Sequence, residues 1–151
     1  MIAAGLGLGR GWQAAAGLAV VAGHVWPVWL RFRGGKGVAA AAGAFAVVTP
    51  WAFGAAFITF ALTVALTRYV SLGSILAVIA LAIAAAVWRE PMPVIAGAAA
   101  VATLITLRHR ENIRRLLRGT ELRMGREDLR GHHAGTEPAE MKPPEQKLER
   151  K

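Results

Sequence analysis

The chain contains no cysteine, and its first 107 residues hold a single carboxylate, Glu90. Without cysteine there are no disulfides, no thiolate nucleophile and no cysteine-ligated zinc. A lone carboxylate leaves no pair for general acid–base work and disfavours proton-coupled transport and intramembrane aspartyl chemistry. Neither a G-x-S-x-G elbow nor a Ser-His-Asp order is present. Met1–Arg10 lacks a basic start followed by an apolar core and a cleavage box, so no secretory signal is expected. Charge itself is scarce in long blocks: residues 11–30, 37–67, 69–88 and 91–107 carry no Asp, Glu, Lys or Arg.

Blocks of that size match the roughly 20 apolar residues that carry a helix across the ~30 Å hydrocarbon core. The fold expected is therefore all-α, a polytopic transmembrane helical bundle of about five spans, near residues 11–30, 37–49, 51–67, 71–88 and 94–110. Pro50 divides the second block in two. The piece 37–49 is short for a span, so a tilt, an extension by the glycine loop or a re-entrant path is expected. Ala and Gly saturate the spans and let membrane helices approach closely. The helical domain covers 1–124; the tail 125–151, rich in Pro and charge, is expected to be disordered.

The net charge of +9 is concentrated where apolar blocks end, as topology signals are, so no nucleic-acid partner is expected. Placing Arg31, Arg33 and Lys36 in the cytoplasm puts Pro50 outside, Arg68 inside, Glu90 outside and the basic segment from Arg108, with the tail, inside. Three polar groups then share the inner surface. The first is "RFRGGKG", where backbone N–H groups of Gly34, Gly35 and Gly37 with Lys36 can hold a phosphate. It is not a nucleotide P-loop, because Gly37 rather than Ser or Thr follows Lys36. A basic turn serving only as a topology signal is the plainer alternative. In "TRYVSLGS", Ser71 or Ser74 can cap a helix, and the spare hydroxyl can meet an anion. In "LRHRENIRRLLRGTE", His109 and Asn112 sit three apart on one helix face among five arginines, including Arg108. Glu111 can pair with Arg114 or Arg115, and Gly119 suits a helix stop. Alternatively, this basic amphipathic stretch binds anionic lipid headgroups. His24 stands in the first span one turn before the glycine loop, as a functional candidate or a packed histidine. His132 and His133 have no third ligand nearby, so no metal site is expected.

"GHVWPVWLRFRGGKGVAAAAG", "TRYVSLGSI" and "RHRENIRRLLRGTE", in that order and spacing, closely resemble segments of the bacterial PlsY family, the acyl-phosphate:glycerol-3-phosphate acyltransferases. The likeness covers about residues 12 to 125. It implies a multispan enzyme of the bacterial inner membrane with a cytoplasmic carboxyl terminus. Such an enzyme moves a fatty acyl group from acyl phosphate to position 1 of sn-glycerol 3-phosphate, giving lysophosphatidate and phosphate for phospholipid synthesis. The family has seven spans, of which the five above would be the last. Its Gly-Ser-Gly-Asn-type loop between the first two spans has no counterpart here, and the sequence begins near the family's third span.

The chemistry so implied uses an already activated donor, so no cofactor is called for. Gly34, Gly35, Lys36 and Gly37 would hold a phosphate. Ser74 and Asn112 would add neutral hydrogen bonds, and His109 a donor or base, with Glu111, Arg108, Ser71 and His24 in support. Partners are glycerol 3-phosphate, fatty acyl phosphate and membrane lipid. The His-x4-Asp pattern of other glycerol acyltransferases is missing, because Trp29, Arg114, Glu137 and Pro138 stand where the Asp would be. A non-catalytic membrane protein binding anionic headgroups is the alternative reading.

Overall fold

The computed structural model describes residues 9–27 and 34–125. Arg31, Arg33, the His132-His133 pair and the tail beyond residue 125 lie outside the described residues. Six α-helices and no strand occur within them: α1 Arg10–Val25, α2 Val38–Val48, α3 Pro50–Thr67, α4 Val70–Val87, α5 Met92–Arg108 and α6 Arg110–Leu117.

The breaks follow local chemistry. Thr49 interrupts α2 and α3, and Pro50 opens α3 at a position whose N–H has no helical partner to lose. Arg68, at φ +61, ends α3 in the left-handed conformation. Gly37 precedes α2 at φ +83, where a side chain would be strained.

The first five helices run up and down and pack each on the next, and α5 returns against α1 to close the ring. Small residues set the spacing. Gly17 faces Ala44, Gly97 faces Ala14, and a Cβ on Gly73 would stand 2.7 Å from Val64 Cγ2. Val21, Val25, Phe45, Ala85, Ala98, Val101 and Ile105 form the shared core. Large apolar side chains also cover the outside, among them Trp51, Leu62, Leu66 and Ile83. A helix that is apolar all round belongs in lipid or in a larger apolar body.

Among the described residues, α3 and α4, at 18 residues each, are long and apolar enough to cross a membrane; α5 with α6 makes a third if that pair, bent by 59°, is one span. The short second segment is indeed short: α2 has 11 residues, or ~16 Å of helix.

Candidate active site

Alternation of the helices gives the bundle two polar ends. At one, Arg10, Thr49 and Glu90 meet. The other gathers the loop 34–37, the start of α4, the break at His109 and the segment after α6.

This second end surrounds a cleft of about 610 Å³ whose polar walls include Lys36, Ser71, Ser74, His109, Asn112 and Glu121. Four chain segments separated by up to 85 positions thus bring Lys36 and Glu121 to one place. Val38 and Phe60 line this cleft and also a second, apolar groove of about 190 Å³, walled by Phe53, Ala56, Phe57, Ala77 and Leu81. Polar cleft and apolar groove are therefore contiguous.

His109 and Asn112 are both buried and line the same cleft, but they do not share one helix as the spacing suggested. His109 is the break between α5 and α6. Its Nδ1 lies 2.8 Å from the Ile105 carbonyl, which can only accept, so Nδ1 carries the proton. In the neutral ring Nε2 is then an acceptor, suited to a hydroxyl. Asn112 donates from Nδ2 to Glu121 Oε1 at 2.6 Å. Because a carboxylate only accepts, this fixes the amide's orientation and leaves Oδ1 for another partner.

Glu121 is the residue that sequence reasoning missed. Its side chain is only 6% exposed. It accepts from Ser71 Oγ at 2.7 Å, Asn112 Nδ2 at 2.6 Å and Arg115 Nε at 2.7 Å. Burial pushes its carboxyl up, but the bonds from Ser71, Asn112 and Arg115, with the Arg115 charge, outweigh burial and hold it below its ordinary value of 4.5. Lys36 is shifted below 10.5 by partial desolvation, with Glu121 opposing and Arg115 reinforcing.

Neither serine caps α4: the helix starts at Val70 with Tyr69 before it, and no side chain bonds its first amides. Ser71 is already the second residue of that helix, past the cap position, and its hydroxyl donates to Glu121 in a charge-assisted bond. Ser74 donates to the Val70 carbonyl at 2.9 Å, so only its lone pairs remain free. Glu111 does not join the cleft. It is exposed on α6, 2.7 Å from Arg114 and 3.7 Å from Arg110.

The glycine loop stands beside these groups. A Cβ on Gly35 would come within 2.7 Å of His24 Nε2, so that imidazole lies against the loop. Gly34 meets the backbone oxygens of His24 and Val25 and the ring of Pro27 too closely to admit a Cβ. Arg108 donates a long bond, 3.4 Å, to the Gly34 carbonyl, while its Nε is buried with no partner. Val21, Val25 and Ile105 pack under Gly37. Among the described residues no three His, Cys, Asp or Glu side chains are grouped to hold a metal ion.

A family model described as glycerol-3-phosphate acyltransferase matches residues 1–119. The chain belongs to the glycerol-3-phosphate acyltransferase family. The glycerol-3-phosphate acyltransferase of Geobacter sulfurreducens is 46% identical over 124 residues, which are 82% of this chain and 63% of that protein. That of Anaeromyxobacter dehalogenans is 47% identical over 111 residues, 73% and 55% of the two chains. Among solved structures, PlsY, an integral membrane glycerol 3-phosphate acyltransferase, superposes in its glycerol 3-phosphate form with TM-score 0.71 at 42% identity, over 74% of this chain and 56% of that one. Its lysophosphatidic acid form gives 0.70 at 44% identity, over 72% and 55%. The chain spans a little over half the length of the relatives it matches.

Proposed function

We propose that residues 1–124 form the membrane-embedded part of an acyltransferase that moves a fatty acyl group from acyl phosphate to position 1 of sn-glycerol 3-phosphate. The Lys36 end faces the cytoplasm of a bacterial inner membrane, and 125–151 is a polar cytoplasmic tail. The observation that carries this reading is the contiguity of a cleft holding Lys36, Ser74, His109 and Asn112 with an apolar groove under Phe60. One substrate of the reaction is a water-soluble phosphoester and the other a fatty mixed anhydride, and this site is polar at one side and greasy at the other. Family membership and the glycerol 3-phosphate and lysophosphatidic acid forms of the PlsY structure support the same reading.

Lys36, with the amides of Gly34, Gly35 and Gly37, holds a phosphate; Arg108, from the end of α5, steadies the loop through Gly34. The acyl chain lies in the groove between α2, α3 and α4. His109 Nε2 accepts from the position-2 hydroxyl of glycerol 3-phosphate and Asn112 Oδ1 fixes a second polar group, so that the position-1 hydroxyl oxygen sits near the acyl carbonyl with its proton free to reach the phosphate. The hydroxyl oxygen attacks that carbon, the bond from carbon to the phosphate oxygen breaks, and the departing phosphate takes the hydroxyl proton. Cations at the cleft offset the charge that develops on the carbonyl oxygen.

The test is transfer from palmitoyl phosphate to labelled glycerol 3-phosphate in proteoliposomes. Lys36→Ala and Asn112→Ala are each expected to lower transfer by about a hundredfold. His109→Ala is expected to weaken glycerol 3-phosphate binding more than turnover at saturation. Transfer that survives both of the first two substitutions would overturn the assignment.

A further inference from the structure

The face of α6 turned away from the cleft has a composition that acyl transfer does not use. Asn112 is buried toward Glu121, while Arg110, Arg114 and Arg118 fall within about 80° of one another on the opposite side of the helix. Arg110 and Arg114 share one carboxylate, Glu111. Among the described residues no carboxylate pairs with Arg118. That leaves two positive charges uncompensated on one exposed face. Leu117, 84% exposed, sits among these arginines, whereas Leu122 and Met124 of the following segment line the cleft.

Orientation makes this combination informative. Helix α6 departs from α5 by 59°, so it inclines toward the plane in which the bundle ends. Cations and a large apolar side chain, Leu117, are mixed there at one level, which water alone does not favour and a headgroup layer does. A soluble acidic ligand would meet the charges but not Leu117. We propose that this face of α6 binds anionic phospholipid headgroups, with Arg110 and Arg118 at the phosphates and Leu117 among the upper acyl carbons. This surface is separate from the cleft and does not depend on the acyltransferase reading.

Native mass spectrometry of the full chain, released from detergent, can count bound lipid with added phosphatidylglycerol, phosphatidylcholine or glycerol 3-phosphate. Phosphatidylglycerol is expected to bind preferentially, without displacement by soluble glycerol 3-phosphate. Arg110→Gln with Arg118→Gln, which leaves the Arg114–Glu111 pair in place, should weaken it by roughly twenty-five-fold, about fivefold per charge. Arg110→Lys with Arg118→Lys should retain most of the binding, as should Lys36→Gln in the cleft. On the unaltered chain, raising salt from low to high ionic strength should weaken phosphatidylglycerol binding and spare phosphatidylcholine. Equal binding of the two lipids, or salt-insensitive binding, would overturn the proposal and leave the face to an acidic protein partner. Loss of binding in Lys36→Gln would also overturn it, since the lipid would then sit in the cleft.

Discussion

The two ends of the bundle are each organised around one carboxylate, and they use it differently. Glu90 accepts from Arg10 at 2.6 Å and from Thr49 at 2.9 Å. It thereby ties the start of α1, the turn between α2 and α3, and the turn before α5. Glu121 has the same kinds of partner, hydroxyl and arginine, and one more, Asn112. That addition separates the ends. At Glu90 both carboxylate oxygens are taken by groups of the bundle itself, whereas at Glu121 the carboxylate holds a cleft-lining amide in a fixed orientation beside Lys36 and His109. Similar ion-pair chemistry closes the fold at one end and prepares a site at the other.

The sharpest way to break this comparison is to delete each carboxylate. Glu121→Ala should cut acyl transfer by a hundredfold or more, because Asn112 loses its anchor and Lys36 its counter-charge. Glu90→Ala should leave transfer within about threefold, while each variant unfolds more readily by about 2 kcal/mol. Parallel transfer assays and thermal melts check both. Equal loss of transfer in the two variants would erase the distinction.

The glycine loop sharpens it next. Gly35→Ala places a methyl against the His24 imidazole, so the apparent KM for glycerol 3-phosphate should rise by about tenfold, and His24→Ala in the same chain should restore most of that loss. Gly34→Ala should not be rescued, since its neighbours there are the His24 and Val25 backbone and the Pro27 ring. Steady-state kinetics on the single and double variants decide the matter.

A pH comparison follows. The Glu121 carboxyl is held below 4.5 in the folded chain. Its stabilisation is therefore complete above about pH 4.5 and is lost as pH falls through the depressed folded value. Melting temperatures of the chain and of Glu121→Gln should differ at pH 7 and converge in acid. Smallest of all, Ser71→Ala and Thr49→Ala should each cost about 1 kcal/mol, and only the first should lower transfer.

Much of this was legible in the sequence because membrane helices announce themselves by what they exclude. Charge-free blocks and Pro50 placed the helices, and their alternation put Lys36, Ser74, His109 and Asn112 at the same end. Glu121 was not legible. Its partners Ser71 and Asn112 lie 50 and 9 residues away, and they meet only because the chain reverses after Gly119, at φ +70. Ser71, one of the two serines that could have capped α4, lies inside its first turn and donates to that unseen carboxylate. Arg10 and Glu90, 80 residues apart, were hidden for the same reason: long-range pairing of single charges leaves no periodic trace. The exclusion of Glu111 from the cleft rests on where α6 bends, and no residue between Leu107 and Asn112 is a proline or glycine that would mark the bend.

The most direct measurement is equilibrium binding of labelled sn-glycerol 3-phosphate to the chain in lipid nanodiscs, with and without Lys36→Gln. Saturable binding that inorganic phosphate competes away, weakened at least tenfold by the substitution, is the expected result. Binding that is indifferent to Lys36, or no saturable binding at all, would contradict a phosphate-capturing cleft at this end of the bundle.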